Sequence, residues 1–280
     1  MSYKFKDSDL EQLARITFNS ADKNIYNLQL QQLYEQRKSM HPNSFCKYGS
    51  KVFSQSDEDG ITFEICRRLG IHNGFFIEFG VDDGKENNTL SLLANKWSGS
   101  WFGGLDLAID VSKSKRLKFK KIWITRDNIL GLAKEALSNF SKTEVDLISL
   151  DLDGNDFYLV SELLKNKINP KIFIVEYNGK FMPPIQFKID YDEKHQWKSD
   201  DYYGASIASF YDLFNKNDYK LICCNAATGA NAFFVRNEFA TEFSDVPNDV
   251  KEIYVPPNFN LLNYWGHKVS TRTLEKIILE

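Results

Sequence analysis

Two short stretches hold most of the oxygen chemistry in this chain. "SLDLDGND" sets Asp151, Asp153 and Asp156 close together, and "VEYN" follows with Glu176 and Asn178. Each ends an apolar run, "VDLISL" and "KIFIV", of the kind a strand buried on both faces requires. If those strands are neighbours, their ends converge. Carboxylates and an amide are hard oxygen donors and suit Mg²⁺; the expected ligands are Asp151, Glu176 and Asn178. An ion held there would bind a hydroxyl, lower its pKa and orient it. The same residues have a plainer reading, because Asp-Gly-Asn-Asp is also a turn and helix N-cap signature. Without an ion a general base is required, and the candidates are Asp151, Asp153 and His195. Imidazole titrates near neutrality and suits that work, although a lone histidine in a polar loop is as readily just solvated.

A second stretch, "FFIEFGVDDGKENNT", runs a core strand into a turn containing Glu78, Gly80, Asp82, Gly84, Asn88 and Thr89. In an open parallel sheet, ligands sit beyond the carboxyl ends of the strands, where the strand order reverses. Glycines at 80 and 84 let backbone approach a neighbour closely. Asp82 stands where a dinucleotide fingerprint has its middle glycine, and with Asp83 it would repel a pyrophosphate. No phosphate-cradling G-x-x-x-x-G-K-[ST] occurs. A nucleoside ligand with a positive centre and no phosphate fits these charges, and S-adenosylmethionine is such a molecule. Asp106 follows the next strand and is placed to accept from both ribose hydroxyls. Asp127 and Asn128 follow the third, where they can meet an adenine edge. Each has a local alternative: a turn for the glycines, a helix cap for Asp127. Upstream, Gln55 and Ser54 of "SQSDEDG" can donate to an amino-acid carboxylate, while Ser56 or Asp57 can equally cap a helix from Glu58.

The elements that must position these residues follow from the apolar pattern. Residues 1–45 read as a helical extension, with Leu10, Leu13, Ile16 and Phe18 near helical spacing. "HPNSFCKYGS" interrupts it. From residue 58, helices alternate with strands "GFFIEFG", "SWFGGLD", "KKIWIT", "VDLISLDLDG" and "PKIFIVEYN", which implies a mostly parallel sheet. "YKLICCNAATGANAFFVRN" reads as two strands around a short turn, so that pair must be antiparallel. The main domain is expected over 46–240. Within it, residues 179–203 form a long insert carrying His195, Trp197, Tyr202 and Tyr203, read as a substrate lid. Residues 241–280 form a C-terminal extension with a helix from Ser270.

Composition excludes some classes. A formal net charge of −3 over 280 residues gives no general attraction to nucleic acid or anionic membrane. No apolar run approaches a membrane span. The four cysteines form no C-x-x-C pair, so a reducing, cytoplasmic setting is expected.

"SQSDEDGI", "FFIEFGVDDGKENNT", "VDLISLDLDGNDFY", "IVEYN" and "YYGAS…CNAATGANAFFVR" together resemble the FkbM-type S-adenosylmethionine-dependent methyltransferases, and more broadly the sugar and macrolide-sugar O-methyltransferases. The resemblance spans about residues 50–236. It implies an α/β, Rossmann-like seven-stranded methyltransferase sheet, mostly parallel with an antiparallel last strand. It also implies methyl transfer to a hydroxyl of a sugar, sugar-linked or other small polar precursor, as in polysaccharide or natural-product biosynthesis. An acid after strand four and an acid–amide pair after strand five match Asp151, Glu176 and Asn178 here, and the resemblance favours Gln55 as a cofactor contact. Asp82 and the "GGLD" run depart from the family pattern. The rival readings are a nicotinamide-dependent oxidoreductase on a similar sheet and a non-catalytic nucleotide- or glycan-binding module. The N-terminal helices are read either as pairing subunits into a homo-oligomer or as covering one edge of the sheet.

Overall fold

The computed structural model describes residues 7–264 and 270–279. The side chains of residues 7–23, including Leu10, Leu13, Ile16 and Phe18, lie outside that description. A seven-stranded sheet is built from β1 (Phe75–Phe79), β2 (Ser98–Gly103), β3 (Leu117–Lys121), β4 (Leu147–Leu150), β5 (Ile172–Glu176), β6 (Tyr219–Cys224) and β7 (Asn231–Arg236). Its order is β3-β2-β1-β4-β5-β7-β6. The first five strands are parallel, and β7 runs against both β5 and β6. This is the expected Rossmann-like methyltransferase sheet, mostly parallel, with its last strand reversed.

The pattern of residues explains the layering. Phe75 to Phe79 are all buried, and so are Leu147 to Leu150. A strand with no exposed face must be covered on both sides, which is what crossover helices provide. The crossover helices are α3 (Leu90–Ala94), α4 (Ile129–Asn139), α5 (Asp156–Lys165) and α6 (Ile207–Asn215), and α2 (Glu58–Arg68) precedes β1. Trp97, Trp101, Phe76, Phe79 and Phe173 lie fully inside the core. The edge strand β3 differs from expectation: it occupies "LKFKK" rather than "KKIWIT". Only Leu117 of it is buried, so pairing with β2 and not apolar content defines it.

The N-terminal extension is one helix, α1 (Asp7–Met40). Its second half docks through buried Leu30 and Tyr34. Arg37 Nε donates to the Ala226 carbonyl at 2.8 Å, and the Tyr34 hydroxyl donates to Gly49 O at 2.9 Å. At the other end, after the short α7 (Val250–Ile253), α8 (Thr271–Leu279) starts where expected. The Ser270 hydroxyl accepts from Thr273 N–H, and Leu274 and Ile278 are buried. Among the described residues no helix is long and apolar enough to cross a membrane.

Candidate functional site

The order reverses between β1 and β4, and a cleft of about 330 Å³ opens at their carboxyl ends. Gln55, Glu78, Gly80, Asp82, Asp83, Asn88, Asp151, Asp153, Glu176 and Asn231 are in its wall. Both glycines of the β1 turn have left-handed backbones, φ +96° at Gly80 and +84° at Gly84. A Cβ on Gly80 would lie 1.5 Å from the Asp151 carbonyl oxygen. The close approach Gly80 permits is therefore to the neighbouring strand end, and it sets the width of the cleft floor.

Glu78 closes the turn. Its carboxylate accepts from the backbone N–H of Asn88 at 2.9 Å, from that of Thr89 at 3.2 Å, and from the Thr89 hydroxyl. Trp101 Nε1 donates to that same hydroxyl at 2.8 Å, and Asn88 Nδ2 donates to Ser149 Oγ at 3.1 Å. Glu78, Asn88 and Thr89 thus hold loop 80–89 against the sheet, and Asn88 and Glu78 still face the cleft. Upstream, Asp59 accepts from the N–H groups of Val52, Phe53 and Ser54 at 2.6–2.9 Å. This clamp folds the "SQSDEDG" segment and leaves the exposed Gln55 at the cleft rim. Neither expected cap of α2 forms through a side chain: Asp57 is the N-cap residue but makes no capping bond.

Past β4, Asp156 accepts from Leu152 N–H at 2.8 Å and Gly154 N–H at 2.9 Å, the turn role foreseen for this segment. That turn projects Asp153, held at φ +53°, towards Asp151 and Glu176. One carboxylate oxygen from each of Asp151, Asp153 and Glu176 lies within 4.8 Å of the others. Burial pushes the carboxyls of Asp151 and Glu176 well above their ordinary range, and the neighbouring acids raise them further. Asp153 is raised by burial and by Asp82, and Asp156 is pushed up to about 6, mainly by burial. The Asp151 and Glu176 carboxyls also lie close enough to share a proton, which favours ionisation of Asp151 and opposes that of Glu176, and no other donor reaches the buried Glu176 Oε2. Converging hard oxygens, a carboxylate oxygen with no other donor and suppressed ionisation fit a divalent cation, whose charge would let the acids ionise together.

Asn178 is not part of that group. It is fully buried, its Nδ2 donating to the carbonyls of Asp201 at 2.9 Å and Tyr203 at 3.0 Å and its Oδ1 accepting from Lys180 N–H. Asp153 takes the place expected for it. Asp106 is 84% exposed, ion-paired with Lys121 at 2.7 Å, and faces a separate shallow cleft with Leu107 and Ile109. Asp127 is exposed. The Asn128 side chain accepts from Thr125 N–H and donates to the Trp123 carbonyl, which organises the start of α4.

His195 packs on Gly154, where a Cβ would lie 2.3 Å from its ring. It lines a narrow slot of about 70 Å³ beside the main cleft, with Gly104, Trp123, Leu152 and Asn155, and its Nε2 is buried without a partner. The insert around it is strapped to the sheet edge. Trp123 Nε1 donates to Glu193 O at 2.8 Å, Asn155 Nδ2 to Asp192 O at 2.7 Å, and the Tyr158 hydroxyl to Ile189 O at 2.8 Å. Tyr203, at the end of the insert, is pushed up first by burial and then by Glu176, Asp151 and Asp153. Its hydroxyl therefore feels the carboxylate group. Reading the sequence alone missed Lys85, Glu86, Asn87 and Asn231 as cleft residues. Asn231 becomes visible only when β7 is paired with β5.

No family model matches the chain, and no curated protein matches it. Solved structures do. The MycE methyltransferase of the mycinamycin pathway, in complex with Mg and SAH, is 13% identical with a TM-score of 0.32, over 42% of this chain and 31% of that one. The matched region is thus under a third of MycE. The N-terminal domain of EvdMO1, solved in the presence of SAH and D-fucose, is 9% identical with a TM-score of 0.38, over 64% of this chain and 82% of that one. An O-methyltransferase family 2 protein from Planctomyces limnophilus, in complex with apigenin, is 10% identical with a TM-score of 0.31, over 58% and 50%. The narrower resemblance to the FkbM-type family is corrected by these findings. No family model supports it, and the strand order is that of the general Rossmann-like methyltransferase sheet.

Proposed function

We propose that this chain is an S-adenosylmethionine-dependent O-methyltransferase acting on a hydroxyl of a sugar, a sugar-linked molecule or another small polar acceptor. The observation that carries the reading is the placement of Asp151, Asp153 and Glu176, with oxygens within 4.8 Å of one another, at the switch point of this sheet. The cleft is rich in carboxylates, and its one lysine, Lys85, is ion-paired with Asp83. Such a cleft favours a sulfonium centre and disfavours phosphates.

In this reading Gly80, Asp82 and Gln55 lie along the amino-acid portion of the cofactor, and its base enters the slot beside Trp123. That slot is too small for a purine as it stands, so the 191–195 strap must shift. The acceptor lies between the carboxylate group and the insert, under Tyr203. Bound in the cleft, the cofactor would supply its methyl to the acceptor oxygen, the electron pair of the broken sulfur–carbon bond would stay on S-adenosylhomocysteine, and the hydroxyl proton would pass to a carboxylate of the cleft. Mg²⁺ held by Asp151, Asp153 and Glu176 would supply Lewis-acid chemistry to the acceptor hydroxyl. The chain's own groups hold the acceptor in line with the methyl, and the insert excludes water. Calorimetry with S-adenosylhomocysteine and with NAD tests the class. Binding of the first at micromolar strength and not of the second is expected, and the reverse would favour an oxidoreductase.

A further inference from the structure

Glu176 ends β5 and Asn231 begins β7, and the two face each other across the antiparallel ladder. Asn231 is 3% exposed and lines the cleft with Glu176. Its side chain is pinned from behind. Nδ2 donates to Glu58 Oε1 at 3.2 Å, and its backbone N–H donates to Asn225 Oδ1 at 2.9 Å. Glu58 is itself fixed by Ser56 N–H at 2.8 Å, the Ser56 hydroxyl at 2.8 Å and Asn225 Nδ2 at 3.2 Å. A flipped amide would press Oδ1 against that carboxylate, acceptor on acceptor. Glu58 therefore decides which way the amide points, and Oδ1 is turned away from it.

Asn231 Oδ1 has no hydrogen-bond partner, and beyond the proton shared with Asp151 neither has Glu176 Oε2. Both are buried acceptors on directly paired residues. Each such atom is destabilising if it stays unmet. What meets both is a cation or a strong donor.

We propose that Asn231 Oδ1 is a fourth protein oxygen for the divalent cation held by Asp151, Asp153 and Glu176. An amide carbonyl adds a hard ligand without adding charge. In a site that already gathers three carboxylates, this adds a ligand without further repulsion. Asn231 is then a positioning residue for the ion, and Ser56, Glu58 and Asn225 form the scaffold that aims it. The inference rests on the reading of the carboxylate group as a metal site.

The test is titration with Mn²⁺ alone, read by electron paramagnetic resonance of free ion, on the parent, Asn231→Ala, Asn231→Asp and Asp151→Asn. The parent is expected to bind one ion. Asn231→Ala should weaken it tenfold or more, Asn231→Asp should not recover binding because its second oxygen would face the Glu58 carboxylate, and Asp151→Asn should lose it. Circular dichroism melts establish that each variant folds. Glu58 keeps its Ser56 and Asn225 donors in Asn231→Ala, so the scaffold survives. A parent that binds no Mn²⁺ overturns the metal reading and this inference together. A parent that binds, with Asn231→Ala binding equally well, overturns the role of Asn231 alone. If that variant instead loses affinity for S-adenosylhomocysteine, Oδ1 receives the cofactor ammonium, and the ion assignment is equally overturned.

Discussion

The backbone of Gly80 and the carbonyl of Asp151 are in direct contact at the point where the sheet order reverses. With φ at +96° and only 1.5 Å between a hypothetical Cβ and Asp151 O, no side chain fits at position 80. The contact locks the end of β1 to the end of β4 and holds the carboxylate of Asp151 at the cleft.

Gly80→Ala should therefore destabilise the fold by about 3 kcal/mol or more, since it combines backbone strain with a clash against backbone. Gly131→Ala is the control. Gly131 lies in α4, and a Cβ there would meet nothing within 4 Å, so alanine should stabilise by about 0.5–1 kcal/mol. Urea unfolding measures both. Equal stability of Gly80→Ala and the parent would show that the two strand ends are free to separate.

Asp57 is buried behind the cleft, accepting from Ala227 N–H at 3.2 Å, Asn225 Nδ2 at 3.1 Å and the Tyr34 hydroxyl at 3.3 Å. Burial, then the charge of Glu58, pushes its carboxyl up to about 7 against these donors. An unfolded aspartic acid titrates near pH ~4. Between the two values the folded chain binds the extra proton, so stability falls as pH rises from about 4 to about 7, by up to about 4 kcal/mol. Below that window the penalty is absent, and above it the penalty is complete. Thermal melts across pH 4.5–7.5 should show this decline, and Asp57→Asn should flatten it whatever its baseline. A slope that persists in the variant would assign the effect to other groups.

How much of this was legible in the sequence varies with the physics of each element. β1, β4 and β5 are short, mostly apolar and bounded by turn residues, and they stand where the pattern put them. β3 does not, because an edge strand with one buried residue carries almost no apolar signal. The carboxylates of Asp151 and Glu176 were readable from their position after two core strands. Asn178 and Asp153 were not separable in that way. Which of them turns inward depends on the left-handed backbone at 153 and on two carbonyls of the insert that receive the Asn178 amide. Asn231 was hidden for a different reason: its partner Glu176 is distant in the chain, and only strand pairing brings them together.

The insert between β5 and α6 is expected to change its protection when ligands bind. Its outer part is held by one bond from Trp123 Nε1 to Glu193 O and by a pair of bonds between Asn155 and Asp192, whereas Ile189 is fully buried and its carbonyl accepts from the Tyr158 hydroxyl. Hydrogen exchange should show residues 191–203 exchanging readily in the free protein and becoming protected with S-adenosylhomocysteine and an acceptor bound. Residue 189 and its neighbours should stay protected throughout. Uniform strong protection of the whole segment in both states would make it a fixed wall.

The last prediction separates two ways of activating the acceptor. Asp151, Asp153 and Glu176 form one group, while His195 sits over Gly154 and faces the neighbouring slot. If the carboxylate group acts through a cation, chelation should abolish methyl transfer and leave S-adenosylhomocysteine affinity within about twofold, because the ion serves the acceptor and not the sulfonium. Asp151→Asn should behave as chelation does, since a hard cation binds weakly once a charged ligand is neutralised. His195→Ala should then reduce the rate no more than about tenfold. The general-base alternative makes the opposite pattern: transfer survives chelation and falls by about 10²-fold or more in His195→Ala. Single-turnover transfer to a panel of sugars and small polyols, with and without chelator, distinguishes the two patterns. A rate indifferent to both treatments would leave alignment of hydroxyl and methyl as the source of catalysis and would remove Asp151 and His195 from the chemistry.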